Sequence, residues 1–524
     1  MSTPPMPQSS ALWGRVQRCL PFAGIALLVM SVWLLGTAQR QTVHFGDDQE
    51  YLTMATSFIR HGSPDFRPGD DLAMLAALPR SWVRSLGKKF HPGSPPYAYY
   101  LSRDGKYFGW HFFAYPALVA PLRWLLDARP DAARAHQDTN LICFCLALLS
   151  LLQLRARPRL FWLLLPMVFL TPVLWFLPYA HTETFVFSLG IVAVTCYLSD
   201  RPLLAILCNS IAATQYQPVA LVSIFICIEW TWRQFSQLRQ SHVSDVLSRW
   251  PKALAVLAAT SIVFIPSLFF YVHFGVPNLV ARESLVSTRL MSFDKFAWMF
   301  IDPNGGMLAY TPGLLWLLLA AAFWAGQRAL RERNFWGLGL LSCALLTMFG
   351  STVQRNWNHP TFGVSRYVLY GIAPMLLFIG NELRLMPASR TTQLLAVVSV
   401  AIGLQLLAHR VHGVFEYQGR DSGHHSDFAL YVLERWPALY SPPAIIFCGR
   451  TLGKCMTDVV SGEPLPEYLP AIWQDRQGRP RKVLAAGCDP EPVLRARAWS
   501  ATEIAKIRSG LHDCRGPGPK YINL

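Results

Sequence analysis

The sequence predicts an α-helical polytopic membrane protein of about eleven transmembrane helices, with a small α+β domain at its C-terminal end. Three observations predict it. Hydrophobic residues make up 52% of the 524, while charged residues are only 15%, against about 25% in soluble proteins. The apolar residues gather into stretches near the ~20 residues that a bilayer's hydrocarbon core demands. The net charge of +16 is spread over short loops that alternate along that array, as an excess of Lys and Arg in cytoplasmic loops would give. An ordinary water-soluble enzyme is excluded because water would face too much apolar surface, and a disordered chain because it would be poor in such residues. A nucleic-acid binder gathers its cations on one face; here they are dispersed, so no nucleic-acid partner is expected.

The first apolar stretch, residues 20–38, follows Arg15 and Arg18. Leu35-Gly36-Thr37-Ala38 has the small residues of a cleavage site. The stretch is longer than the roughly 7–15 apolar residues of a signal peptide, so it reads as a retained anchor. Residues 1–19 are then a cytoplasmic N-terminus. Further spans are expected at 139–154, 160–179, 183–198, 203–217, 218–232, 253–274, 307–325, 335–350, 367–383 and 394–408. Residues 110–126 read as an interfacial helix, because counting them as a span would put Arg155, Arg157 and Arg159 outside. Every inner segment then carries Lys or Arg: Arg201, Arg233 with Lys252, Arg328 to Arg333, and Arg384 with Arg390 follow the first two groups. Gln215, Gln217 and Pro218 mark either a tight outer turn or a broken helix. Residues 20–409 thus form the membrane domain, with a long first outer loop at 39–109.

An odd number of spans leaves residues 410–524 outside. This segment holds 15 Lys and Arg and 12 Asp and Glu, with no spanning stretch. Seven of the 11 cysteines lie in or beside spans, where Cys behaves as a small hydrophobe. Cys448, Cys455, Cys488 and Cys514 lie in the tail and predict two disulfides, with three pairings open. A zinc site is disfavoured because no CxxC spacing occurs. Strand-like runs at 444–448 and 482–486 and a helical run at 501–511 give the α+β expectation.

Polar groups cluster on the expected outer side. Asp47, Asp48 and Glu50 fall within four positions just after the first span. Leu52, Ala55 and Ile59 follow at helical spacing, and Gly62 suits a C-cap. The plain reading is an Asp N-cap and a solvated first turn, which the helix dipole favours. The functional reading is a carboxylate at the lipid–water boundary acting as a general base, since paired acids raise one another's pKa. His181 and Glu183 lie between two spans and can clamp a polar group or ligate a divalent cation; an interfacial loop is the plain alternative. Arg355, His359 and Arg366 form a third group. Arg366 opens a span on the outer side, where a guanidinium grips phosphate in bidentate fashion, or only snorkels to the interface. Asp302-Pro303-Asn304-Gly305-Gly306 reads by itself as a loop.

These pieces, in this order, resemble the C-type (GT-C) integral-membrane glycosyltransferases, a family that includes the aminoarabinose and protein mannosyltransferases. The resemblance covers roughly residues 20–410. Its marks are the acidic pair Asp47-Asp48 with Tyr51 and Ala55, and the aromatic segment Trp110-His111-Phe112-Phe113-Ala114-Tyr115-Pro116. Glu183 stands before the fourth span. Asp302-Pro303 runs on to Tyr310 and Pro312, and Trp357, Gly363, Arg366 and Tyr367 open a late span. The sequence departs from the family in having Asp-Asp for the commoner Asp-Glu, which leaves open which acid is the base, and in Val364-Ser365 standing between Gly363 and Arg366. The resemblance implies a GT-C-like fold and an inverting transferase. Its donor would be a sugar on polyprenyl phosphate, and its acceptor a glycan, lipid or protein outside the membrane. Asp47 or Asp48 would be the base. Arg366, with Arg355 or His359, would hold the donor phosphate. Glu50, His181 and Glu183 would meet substrate or a divalent metal. The expected location is the inner membrane. A polysaccharide polymerase or ligase would favour basic outer loops, and a transporter would favour charges within spans and repeated halves; neither pattern is seen.

Overall fold

Helix dominates the computed structural model, which is 71% helical with a small sheet component. Residues 8–38, 47–78, 95, 98–125, 132–238, 243–283, 285–355, 363–414, 423–453, 455, 464–512, 514 and 518–524 are described. Five helical segments among them are long and apolar enough to cross a membrane: Cys19–Thr37, Ala133–Leu154, Trp250–Phe274, Pro312–Glu332 and Thr391–His412. Pro158–Phe169, Glu183–Leu198, Pro202–Ala213 and Trp336–Ser351 are apolar but shorter. The chain divides into two compact units, residues 1–277 with 321–343 and 373–392, and residues 278–320 with 344–372 and 393–524.

The first unit begins with α1 (Gln8–Ala38), α2 (Asp48–His61) and α3 (Asp70–Ala76). An antiparallel hairpin of β1 (Tyr99–Leu101) and β2 (Tyr107–Gly109) follows. Then come α4 (Ala114–Leu125), α5 (Ala132–Ser150), α6 (Pro158–Phe169), α7 (Glu183–Leu198), α8 (Pro202–Ala213), α9 (Ala220–Leu238), α10 (Val243–Ser261) and α11 (Ile265–Phe274). Helix α7 is apolar nearly all round and buried nearly all round, as a central helix must be. It packs on α5 and α8.

Two expected elements need correction here. The span at 160–179 is broken, because Thr171 before Pro172 is extended (ψ 152°) and Pro172 opens a 3₁₀ turn. The interfacial helix begins at Ala114 rather than at residue 110, since Gly109 and Trp110 belong to the hairpin's exit, where the Trp110 N–H bonds the Ala98 carbonyl at 3.0 Å. Between α8 and α9 the chain makes a tight turn. Asn209 Nδ2 pins it by donating to the Val219 carbonyl and to Ser223 Oγ, both at 2.8 Å.

The second unit holds α12 (Leu279–Arg282), α13 (Phe293–Ile301), α14 (Met307–Tyr310) and parts of α15 (Pro312–Glu332), α16 (Trp336–Ser351), α17 (Arg366–Arg384) and α18 (Thr391–His412). The expected span at 307–325 is likewise corrected: α14 stops at Tyr310, and Pro312 restarts the helix. The rest of the unit is α19 (Asp427–Arg435), α20 (Ala444–Leu452), β3 (Ala471–Gln474), β4 (Pro480–Ala485), α21 (Glu491–Arg495), α22 (Ala501–His512) and β5 (Lys520–Asn523). The strands form one antiparallel sheet with β4 in the middle. Alternate residues of β4 serve opposite faces. Leu484 joins Leu433, Phe447 and Trp473, while Val483 and Ala485 join Ile507, Leu511 and Ile522.

Residues 444–448 are helical, not extended. The run Ala-Ile-Ile-Phe-Cys fits either period, but it lies between Pro443 and a left-handed Gly453 (φ 74°), the signals of a helix's two ends. Cys448 pairs with Cys455 and Cys488 with Cys514, at Cα separations of 5.8 and 5.6 Å. The structure thereby selects one of the three pairings that the sequence left open.

Candidate active site

Asp47 takes the N-cap position of α2, and its carbonyl accepts the Glu50 and Tyr51 N–H groups at 3.1 and 3.3 Å. Its carboxylate makes no capping bond to the helix. Asp48 and Glu50 occupy the first turn and are almost wholly buried, at 4% and 1% exposure. This overturns the solvated first turn. The far end closes as its sequence requires, with Gly62 left-handed at φ 70°.

The burial has a specific cause. The hairpin lays the segment after Gly109 over the start of α2, so that Glu50 Oε1 accepts the His111 backbone N–H at 2.8 Å and Oε2 lies 2.7 Å from His111 Nδ1. Tyr99 of β1 donates to the Glu50 carbonyl at 3.3 Å. Burial raises the Glu50 carboxyl above its ordinary range, and the nearby Asp47 charge adds to that, while His111 pulls the other way. The contact places a buried acid and an imidazole within reach of a shared proton.

Gly109 makes this approach possible, because a Cβ there would run into Glu50 Oε1. Gly109→Ala is therefore expected to displace Glu50 and to cost about 1–3 kcal/mol. Thermal unfolding of the two proteins checks this; an unchanged midpoint would mean that the hairpin yields freely.

Tyr51 joins the acidic turn to the second polar group. Its ring centroid lies 5.5 Å from that of His111, 5.9 Å from Tyr115 and 5.9 Å from His181. His181 Nδ1 is 3.7 Å from Glu183 Oε2, and both residues are buried. Thr182 caps α7 by position, so Glu183 begins the helix where its dipole favours a negative charge. The preceding loop is held by Gln137 Nε2 on the Pro178 carbonyl (2.9 Å) and Asn140 Nδ2 on the Tyr179 carbonyl (2.7 Å).

Asp47, Asp48, Glu50, His181 and Glu183 therefore gather at one end of the first unit, around Tyr51. Glu50 and Glu183 each take a different histidine, and no three His, Cys, Asp or Glu stand together in a metal-holding group among the described residues. His111 carries the closest contact to the acidic turn, yet sequence reasoning gave it no role. Its signal was present in the polar residue within Trp110-His111-Phe112-Phe113.

The phosphate-binding candidates belong to the second unit. Arg366 opens α17, with Nη2 3.1 Å from Tyr367 Oη and its guanidinium 5.1 Å from that ring's centroid. Arg355 holds the chain by its backbone N–H on the Leu285 carbonyl (2.9 Å). His359 and Trp357 lie outside the described residues. The Ser365 N–H, one residue before Arg366, bonds the Gly305 carbonyl at 3.0 Å.

The turn that supplies Gly305 is more than a loop. Asp302 and Asn304 are buried. Asp302 Oδ1 accepts from the Asn304 N–H (3.0 Å) and from Tyr440 Oη (3.1 Å), and Asn304 Oδ1 accepts the Ser426 N–H (2.8 Å). Ser426 Oγ donates to the Pro303 carbonyl at 2.7 Å. Gly306 closes the turn, where a Cβ would stand 2.6 Å from Asp302 N. No family model, curated protein or solved structure matches the chain.

Proposed function

We propose that this chain is an integral-membrane glycosyltransferase of GT-C-like fold that moves a sugar from a polyprenyl-phosphate donor to an acceptor outside the membrane. The observation that carries the reading is the buried acidic turn at the start of α2. It follows directly on the first candidate span and is backed by His111 and by the His181–Glu183 pair. Ionisable groups kept at a membrane mouth serve a wet cavity or a substrate more often than they serve stability.

In this reading Asp47 takes the proton of an acceptor hydroxyl. The oxygen attacks the anomeric carbon and inverts it, the bond from that carbon to the lipid phosphate breaks, and the phosphate leaves with the electron pair. Asp48 and Glu50 follow Asp47 in the first turn of α2 and complete the acidic group. Arg366 is assigned to the departing phosphate, whose growing charge a guanidinium fork stabilises. The proposal includes eleven spans in an inner membrane, a cytoplasmic N-terminus and an outer C-terminal domain.

Purification with native lipids followed by mass spectrometry tests it. A co-purifying polyprenyl-phosphate sugar, consumed when an acceptor is added, is the expected result. A protein that retains no such lipid and conducts ions in proteoliposomes would overturn it.

A further inference from the structure

At the opposite end of α7 from Glu183, about 24 Å along the helix axis, the first unit carries a second polar region. Asp200, in the turn between α7 and α8, has a left-handed backbone (φ 59°). Its two carboxylate oxygens hold Arg157 Nη2 at 2.5 Å and Arg384 Nη1 at 2.9 Å. Those guanidinia come from the start of α6 and the end of α17. Beside them, Glu229 of α9 accepts from Tyr197 Oη at 2.6 Å and pairs with Arg233.

Two cavities meet at Asp200 and Arg384. One, of about 580 Å³, reaches Arg201, Arg233 and Lys252; the other, of about 590 Å³, reaches Arg157 and Arg159. Six cations therefore border two acids. Both acids are already engaged, and Arg159, Arg201 and Lys252 form no ion pair among the described residues. Beside Tyr197 and Gln234, the first cavity's remaining wall is mostly apolar, with Leu203, Leu204, Ile226 and Val256.

We infer that this double cavity binds the phosphate headgroup of an anionic phospholipid. The charge fits a phosphodiester, because two guanidinia locked side by side on Asp200 present a fixed donor array at little entropic cost. The apolar wall favours a lipid over a free phosphate. Leu203 and Leu204 are 36% and 43% exposed beside the cations. The candidate span Trp250–Phe274 begins two residues before Lys252, with Trp250 57% exposed. Exposed Trp and Leu beside cations at the end of a span mark the headgroup level of a bilayer. The inference rests on the membrane-spanning character of the chain and not on the proposed transfer.

The test places the full-length protein in phosphatidylcholine nanodiscs containing one-fifth phosphatidylglycerol and counts retained lipid by native mass spectrometry. The wild type is expected to retain phosphatidylglycerol selectively. Each cation near an anionic surface contributes about fivefold, so the triple variant Arg159→Ala, Arg201→Ala, Lys252→Ala should lower that preference roughly 100-fold. These three residues are exposed, and an unchanged unfolding midpoint confirms that the variant folds. Equal retention of both lipids by the wild type overturns the inference, as does a triple variant with undiminished preference. So does an equal loss in Arg331→Ala, Arg333→Ala, which would reduce the effect to general surface attraction. Millimolar inorganic phosphate that stabilises the protein while phosphatidylglycerol does not would assign the site to a soluble anion instead.

Discussion

Asp47→Asn is expected to lower sugar transfer by about 10²–10⁴-fold, the usual contribution of a positioned general base, while leaving the fold intact. The structure makes this substitution unusually clean. The Asp47 carbonyl, not its carboxylate, accepts the first-turn N–H groups, and Asn is as good an N-cap residue as Asp. A loss of activity in this variant therefore reports on chemistry and not on a frayed α2. Asp48→Asn behaves differently. Asp48 is buried, so its amide must fit an enclosed space, and the expected result is a lower unfolding midpoint with transfer retained in part. Transfer from a polyprenyl-phosphate sugar in proteoliposomes, measured beside thermal unfolding, separates the two. Full activity in both variants would remove the base from this turn. Full activity in Asp47→Asn together with none in Asp48→Asn would move it by one residue.

The contrast between these two neighbours shows where sequence reading works. The helix after the first span was legible because everything that specifies it is local: acids in the first turn, apolar residues at helical spacing, and a glycine at its end. What the sequence could not supply was the burial. Glu50 and His111 lie 61 positions apart, and only the hairpin brings them together. A cluster of acids was expected to be wet, and the long first loop covers it. The same limit explains the spans. Helix stands at most of the expected apolar stretches, but Thr171-Pro172 and Thr311-Pro312 break two of them. In the tail, cysteine count gave the number of disulfides, while pairing awaited geometry. Residues 444–448 were misread because a five-residue apolar run has no period of its own. The Asp302 turn was read as a loop for a further reason: its partners, Ser426 and Tyr440, are more than 120 positions away.

That turn carries the second large effect. Asn304→Leu is expected to destabilise the second unit by about 3–5 kcal/mol, since it leaves the Ser426 N–H and Tyr440 Oη short of partners in a buried place. Leu keeps the branched shape of Asn but puts methyl groups where the amide oxygen and nitrogen stood, so the loss of hydrogen bonds is joined by some crowding in a fully buried place. Asp302→Asn supplies the opposite case. Its remaining oxygen still accepts from the Asn304 N–H and Tyr440 Oη, and the second carboxylate oxygen, Oδ2, has no hydrogen-bond partner among the described residues. Burial raises the Asp302 carboxyl above its ordinary range, against the lowering pull of Asn304, Arg450 and Tyr440. A raised carboxyl binds its proton more tightly in the folded state, so its contribution to stability is complete in acid and declines as pH rises through the raised value. Asn at this position has no proton to lose. The Asp302→Asn midpoint should therefore fall less steeply than the wild type's as pH rises from the ordinary carboxylate range toward neutrality. Parallel profiles would mean that Asp302 titrates as an ordinary exposed acid. Hydrogen exchange at the Ser426 amide then decides whether Asn304→Leu acts at this turn: faster exchange there places the damage at the Asn304–Ser426 bond, and unchanged exchange shows that the bond carries none of the loss.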